Sequence, residues 1–193
     1  MIRFFVAIHL FKTKPRQDLL DLVHSRFRVR LWDLDANIHM NNVRYMKYLE
    51  RARVDFIVRT PWLQIAHESN VKSLIANVTI SYVKELKPFQ PFEVCTRISS
   101  WDDRYIYIEQ RFMHNNQIYT SASARMAFVD RTTKQRISPN KLFSQVDLHT
   151  PASPASVYHF NQLIKSQRQE SELVLSNMTT NMTTPSATQE PTR

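Results

Sequence analysis

Between Tyr45 and Ile57 the apolar positions fall on one helical stripe: Tyr45, Leu49, Ala52 and Phe56 recur at steps of four, three and four, and Met46 and Ile57 widen it. The pattern predicts an amphipathic helix from about Asn42 to Arg59, stopped at Thr60-Pro61 because the residue before a proline avoids helical ψ. Glu50 and Arg53, three apart on it, are expected to pair in solvent or across subunits. After this helix the period changes to two. Val71 to Leu86 reads as a long strand with Val78, Ile80 and Tyr82 on one face, broken by Lys87-Pro88-Phe89-Gln90-Pro91. Phe92 to Trp101 is the next strand, and Asp102-Asp103 turns the chain into Arg104 to Met113. There Ile106, Ile108 and Phe112 alternate with Tyr105, Tyr107, Glu109 and Arg111. His114-Asn115-Asn116 makes a hairpin turn into the last long strand, Gln117 to Asp130. One strand precedes the helix, with Phe27, Val29 and Leu31 alternating with Arg28, Arg30 and Trp32, and Asp18 to His24 ahead of it reads as a brief helix. A strand, a helix and four long strands joined mostly by tight turns describe an α+β domain with an antiparallel sheet.

The ends of the chain have a different texture. Ile2 to Leu10 is an apolar run interrupted by Arg3 and His9 and followed by Lys12, Lys14 and Arg16. It is far shorter than the roughly 20 residues that span a bilayer, and no small-residue cleavage site follows it. Two readings stay open: a segment that packs on its own domain or a partner, or an interfacial anchor at a membrane surface through residues 1–16. Near the other end, Ser153-Pro154 suits an N-cap and first helical residue, and Val157, Phe160 and Ile164 give a stripe for a helix to about Gln169. From Ser176 the chain runs Asn-Met-Thr-Thr twice and then Pro, Ser, Gln and Glu, too polar to order itself. The expected organisation is an apolar and basic segment at 1–24, one domain at 25–145, an extension with a short helix at 146–175, and a disordered tail at 176–193.

Charge narrows the partners. With 26 Lys and Arg against 17 Asp and Glu the chain carries +9, a balance that attracts polyanions. The basic residues are scattered through strands and helices rather than gathered in a block, which argues against nucleic acid and leaves a membrane surface or a phosphate-rich cofactor such as coenzyme A. The single cysteine, Cys95, excludes an intramolecular disulfide and fits the reducing cytoplasm, with peripheral membrane contact as the alternative placement. It falls in a strand, where a small buried residue is expected. Formal Asn-x-Thr sites at Asn77, Asn177 and Asn181 would be coincidental in that compartment. The chain has no glycine at all, so Asn, Asp and Pro must make its turns. Zinc-type ligand spacing, a Gly-rich phosphate loop and a Ser-His-Asp signature are all missing, and no metal or redox cofactor is expected.

The chemistry is concentrated in Asp33 to Tyr45, which packs two carboxylates, an imidazole and three carboxamides into a loop running straight into the amphipathic helix. A helix start carries unpaired amide N–H groups and partial positive charge, suited to a developing oxyanion. The string Asp35-x-Asn37-x-His39-Met40-Asn41-Asn42-x-x-Tyr45, followed by Leu49-Glu50-x-Ala52-Arg53, resembles the active-site loop and central helix of hotdog-fold acyl thioesterases. It is similar to the 4-hydroxybenzoyl-CoA thioesterase-like group and the plant acyl-ACP thioesterases, and most like their single-domain bacterial and THEM-type relatives. The likeness runs from about Phe27 to Pro139. Many relatives have Gly at loop positions where this chain has Asn or another residue.

The resemblance implies a single hotdog domain, an antiparallel sheet wrapped around one long central helix. It implies hydrolysis of an acyl-CoA or acyl-ACP thioester, without a metal or redox cofactor, by a homodimer or dimer of dimers. Asp35 occupies the position of the catalytic carboxylate and would activate water or attack the carbonyl itself. Asn37 and His39, at alternate positions beyond it, would project towards the same site if the loop is extended. The backbone amides around Asn41 and Asn42 would polarise the thioester carbonyl, and Tyr45 would line the acyl pocket or fix the loop. Asp33 reads as a structural cap. A non-catalytic acyl-binding or membrane-associated scaffold is the competing reading, and a hotdog hydratase or dehydratase fits the loop less well.

Overall fold

The computed structural model describes residues 16–144 and 146–183, so most of the N-terminal apolar and basic segment, residues 1–15, and the last part of the polar tail lie outside the described residues. The chain divides into two compact units, Met1–Ser153 and Pro154–Arg193.

In the first unit, β1 (Val23–Arg28) is followed by a 3-10 turn at Leu31–Asp33 and then by α1 (Asn42–Arg59) and a short α2 (Trp62–Glu68). Four long strands come next, β2 (Val71–Tyr82), β3 (Pro91–Trp101), β4 (Ile106–His114) and β5 (Gln117–Asp130), and then β6 (Arg136–Ile137) and α3 (Pro139–Ser144). The sheet is antiparallel throughout in the order β1-β3-β4-β5-β2, with β6 added to β5. This is the expected α+β arrangement, with α1 as the single long helix of the unit packed on β1 and β3.

The helix boundaries follow the expected pattern. Asn41 caps the start by accepting the Val43 amide at 2.9 Å, and Thr60 closes the end by donating its hydroxyl to the Phe56 carbonyl at 2.8 Å. Tyr45, Tyr48, Leu49, Ala52 and Phe56 are buried on its inner face. Around its C-terminal half, Phe56, Trp62, Phe128 and Phe143 form one aromatic cluster with centroid separations of 5.3 to 6.5 Å. Around its N-terminal half, Tyr45 and Tyr48 pack on Phe92 and Phe112, whose rings stack at 5.5 Å. One buried polar network crosses this core. Arg53, 7% exposed, donates to the side-chain oxygen of Gln110 at 2.7 Å, and the Gln110 amide donates to Leu49 O and Thr96 Oγ1. Burial pulls the Arg53 pKa down, partly opposed by Glu50. The expected surface pair is therefore replaced by an inward-turned guanidinium, since Arg53 shares the helix face of Leu49 and Phe56 while Glu50 is exposed.

Several expectations are corrected. Asp18 to His24 is not a helix. Asp18 and Asp21 close a turn, through Asp18 N–H to Asp21 Oδ2 at 2.9 Å, and β1 starts at Val23. Leu20 and Leu22 are 37% and 43% exposed, so a helical stripe there has nothing to bury against. The strand expected to reach Leu31 ends at Arg28, and Leu31 and Trp32 sit exposed on the 3-10 turn. β2 ends at Tyr82 rather than Leu86, because Val83 and Lys84 both donate to the Tyr119 carbonyl and leave the ladder. Helices α2 and α3 lie in stretches read as polar or featureless; their apolar residues are too few to show a period.

The Asn115-Asn116 hairpin turn forms as expected, with φ of 48° and 58°. Among the described residues, Asn70, Asn115, Asn116 and Asp147 take positive φ where glycine is usual, but so do Ile38, Phe89 and Lys134. Ile38, at φ 60°, is the costly one, because a β-branched side chain crowds its own backbone there.

The second unit is one helix, α4 (Ala155–Thr183), entered through the Val157 amide bonding the Pro154 carbonyl at 3.0 Å. It runs well past Gln169 and takes in residues 176–183 of the expected disordered tail. Good helix formers between Lys165 and Leu175, and the Ser166–Glu170 bond at 3.3 Å, carry it on. Among the described residues, no helix is long and apolar enough to cross a membrane.

Candidate active site

The loop ahead of α1 is a tight pinned turn, not the extended segment expected. Leu34 and Met40 form an antiparallel bridge, with Asp35 N–H donating to the His39 carbonyl at 3.1 Å and Ile38 N–H to the Asp35 carbonyl at 3.1 Å. The positive φ of Ile38 turns the chain back. Met40 N–H donates to the Leu86 carbonyl at 2.9 Å and Asn41 N–H to the Asp33 carbonyl at 2.8 Å, which ties the loop to the segment after β2 and to itself.

Asp33 and Asp35 sit two apart in settings of opposite character. Asp33 is 4% exposed, and its Oδ2 accepts the Tyr48 hydroxyl at 2.6 Å and the Arg30 amide at 3.0 Å. Arg44 Nε lies 3.8 Å from its other oxygen. Burial, followed by the Asp33 carboxylate, pushes the Tyr48 phenol up to about 12. Asp33 is thus consumed in holding the 3-10 turn against α1. The Asp35 carboxyl is partly open, with its side chain 23% exposed. Its Oδ1 accepts the Asn37 amide at 2.9 Å, and its Oδ2 lies 3.5 Å from His39 Nδ1. His39 Nδ1 is also 3.4 Å from the Met40 carbonyl, with which it shares a hydrogen bond.

The other expected residues divide. Asn37 meets Asp35 through its backbone amide, and its side chain is exposed, because a turn at this point sends it away from the alternation that an extended loop would give. The Asn41 amide is spent on Asp33 and its side chain on the cap, and the Arg44 amide is taken by the Asn41 carbonyl. Asn42, at the first helical position, is exposed, and its amide is the helix-start N–H to which no acceptor is bonded among the described residues. Tyr45 is 3% exposed, edge-on to Tyr82 at 5.0 Å, and burial raises its pKa against the lowering effect of the Leu86 backbone. It fixes the loop from behind through the same segment that holds Met40.

Glu85 was not legible in the sequence as a site residue. Its carboxyl lies 3.9 Å from His39 Nε2, so the imidazole stands between two carboxylates. It reads as the end of a strand until Val83 and Lys84 leave the ladder, and only that departure brings it to the loop.

Residues 29–160 match the profile of the thioesterase-like superfamily. The chain belongs to that superfamily. The superfamily match spans the loop, α1 and all four long strands. Protein THEM6 of Xenopus laevis is 30% identical over 170 residues, covering 85% of this chain and 80% of the frog protein. An acyl-CoA thioesterase of Haemophilus influenzae, YbgC, is 28% identical over 108 residues, 54% of this chain and 79% of its own. The crystal structure of YbaW, a probable thioesterase from Escherichia coli, superposes with a TM-score of 0.60 at 20% identity, covering 64% of this chain and 95% of that one, which establishes the hotdog arrangement. Thioester hydrolysis is accordingly the reaction class of this superfamily member.

Proposed function

We propose that the chain hydrolyses acyl-CoA thioesters at the Asp35 loop. The observation that carries this reading is the Asp35 carboxylate itself: partly open, oriented by the Asn37 amide on one oxygen and by His39 near the other, and set just ahead of a helix start with an available amide at Asn42. In the reading, Asp35 takes a proton from water, the hydroxide adds to the thioester carbon, and the carbonyl oxygen gathers charge against the Asn42 amide and the N-terminus of α1. The tetrahedral intermediate then expels coenzyme A as thiolate, which takes up the proton that Asp35 accepted and so restores the carboxylate. Fixed donors help here because a thioester oxygen is a weak acceptor until charge develops on it, so they favour the transition state over bound substrate. His39, between Asp35 and Glu85, holds the carboxylate's orientation.

The exposed apolar side chains Ile38, Val43 and Met46 around this loop give the acyl chain its first contact. Coenzyme A is preferred over acyl carrier protein because of the name of the Haemophilus relative. The reading includes a homodimer. β2 is an edge strand that exposes Leu74, Ile75 and Tyr82, and a second copy would cover that edge and wall the site. The reducing cytoplasm is its place, with residues 1–16 as a peripheral contact. The test is thiol release from acyl-CoA esters of graded chain length. A single turnover in ¹⁸O-water identifies attack by Asp35 when water then opens the mixed anhydride at the Asp35 carbon: the first acid released carries ¹⁶O from the carboxylate and the label stays on Asp35, an outcome that direct water attack never gives.

A further inference from the structure

A second cluster of reactive side chains lies on the other edge of the sheet. Val23 and Ser25 of β1 are buried, with Ser25 donating to Asp55 of α1 at 2.6 Å, so His24 between them points to the opposite sheet face. The register of β1 against β3 sets His24 directly across from Cys95, and Glu93, two residues earlier on β3, shares that face. His24 Nδ1 lies 3.0 Å from Glu93 Oε2 and 3.4 Å from Cys95 Sγ, and one ligand atom from each of the three lies within 4.8 Å of the others. It is the one such group of three among the described residues.

We propose that His24, Glu93 and Cys95 bind a divalent zinc ion that clamps edge strand β1 to β3. A four-coordinate Zn²⁺ with bonds of about 2.3 Å to sulfur and about 2.0 Å to nitrogen or oxygen holds its ligand atoms roughly 3.3 to 3.5 Å apart, close to the 3.0 Å and 3.4 Å that separate His24 Nδ1 from Glu93 and Cys95. A mixed thiolate, imidazole and carboxylate set suits zinc rather than magnesium or calcium, which take oxygen ligands. The charges also close: Zn²⁺ against a thiolate, a carboxylate and a neutral imidazole sums to zero. The carboxylate is already supported, since Arg26 Nε donates to the other oxygen of Glu93 at 2.9 Å, as an outer partner orients a metal-bound carboxylate. The side chain of His24 is 51% exposed, which leaves an open side for entry and for a water as fourth ligand. Sequence spacing could not show this site, because its ligands come from two strands separated by the whole of α1, α2 and β2.

The test uses the full chain, stripped of metal and free of any affinity tag, titrated with Co²⁺ and then Zn²⁺. The expected result is one equivalent of Co²⁺ with a thiolate-to-cobalt charge-transfer band, displaced by Zn²⁺. The band disappears in Cys95→Ser, Co²⁺ binds at least about tenfold weaker in His24→Ala, and His67→Ala behaves as wild type. Zn²⁺ should raise the melting temperature of wild type and leave that of Cys95→Ser unchanged. Should Cys95→Ser fail to fold, Glu93→Gln, a substitution at a partly exposed position, must weaken Co²⁺ at least about tenfold in its place. Absence of the thiolate band in wild type at equimolar Co²⁺, or equal Co²⁺ affinity in wild type, His24→Ala and Glu93→Gln, overturns the proposal.

Discussion

Replacing Asp33 and Asp35 separately by asparagine should give opposite phenotypes, although the two carboxylates are two residues apart. Asp33→Asn keeps the volume but removes a buried charge that accepts the Tyr48 hydroxyl at 2.6 Å and the Arg30 amide at 3.0 Å. It also confronts those donors with a side-chain NH₂ or forces one of them to go unpaired. Hydrogen bonds to a charged acceptor are worth about 1.5 to 3 kcal/mol each. Two of them, partly offset by the Arg28 carbonyl that Tyr48 already approaches at 3.4 Å, put the net loss at about 3 kcal/mol. For a unit of this size that is a fall in melting temperature of roughly 10 °C. Asp35→Asn loses only a partly open carboxylate whose main bond, from the Asn37 amide, an asparagine oxygen can still accept, so its melting temperature should stay within about 2 °C of wild type. The assay is thermal unfolding by circular dichroism beside thiol release on the same samples. A stable but inactive Asp33→Asn, or an Asp35→Asn that melts as low as Asp33→Asn, would refute the division of labour between the two carboxylates.

Three further outcomes are expected. The Tyr48 phenol is pushed from 10 to about 12 in the fold, so the stability it contributes is complete below pH 10 and lost as pH rises towards about 12; urea midpoints of Tyr48→Phe should fall less than those of wild type across that window. Ile38→Asn, which accepts the φ of 60° more readily, should stabilise the protein by about 1 kcal/mol in urea unfolding. Gln110→Leu leaves the buried Arg53 guanidinium without its acceptor and should cost about 3 kcal/mol, and adding Arg53→Leu should recover most of it in a double-mutant cycle.

What could be read from the chain follows the strength of its periods. The stripe from Tyr45 to Ile57 fixes α1 to the residue because it buries one face over many residues, and the long run from Gln117 to Asp130, buried on both faces from Ala124 to Phe128, does the same for β5. The short α2 and α3 leave no such trace, and the end of β2 depends on the Tyr119 carbonyl capturing Val83 and Lys84 from another strand. In the candidate site, Asp35 and His39 are brought together, but by the turn at Ile38 and not by the extended loop that their spacing supposed. Asn37 is not, since it depended on an extended loop and the chain turns at Ile38 instead. The approach of Glu85 to His39 and the capture of the Asn41 amide by Asp33 are tertiary facts with no local signature. The same holds for the His24, Glu93 and Cys95 cluster, whose members meet only through strand register.

The measurement that bears most directly on the account is thiol release from a series of acyl-CoA esters by wild type and Asp35→Asn, with folding of both checked by melting temperature. The account predicts measurable turnover by wild type and a loss of at least about 100-fold in kcat/KM for Asp35→Asn at an unchanged melting temperature. Equal turnover by the two proteins would remove Asp35 from the chemistry, and no turnover by wild type on any chain length would contradict acyl-CoA hydrolysis at this loop.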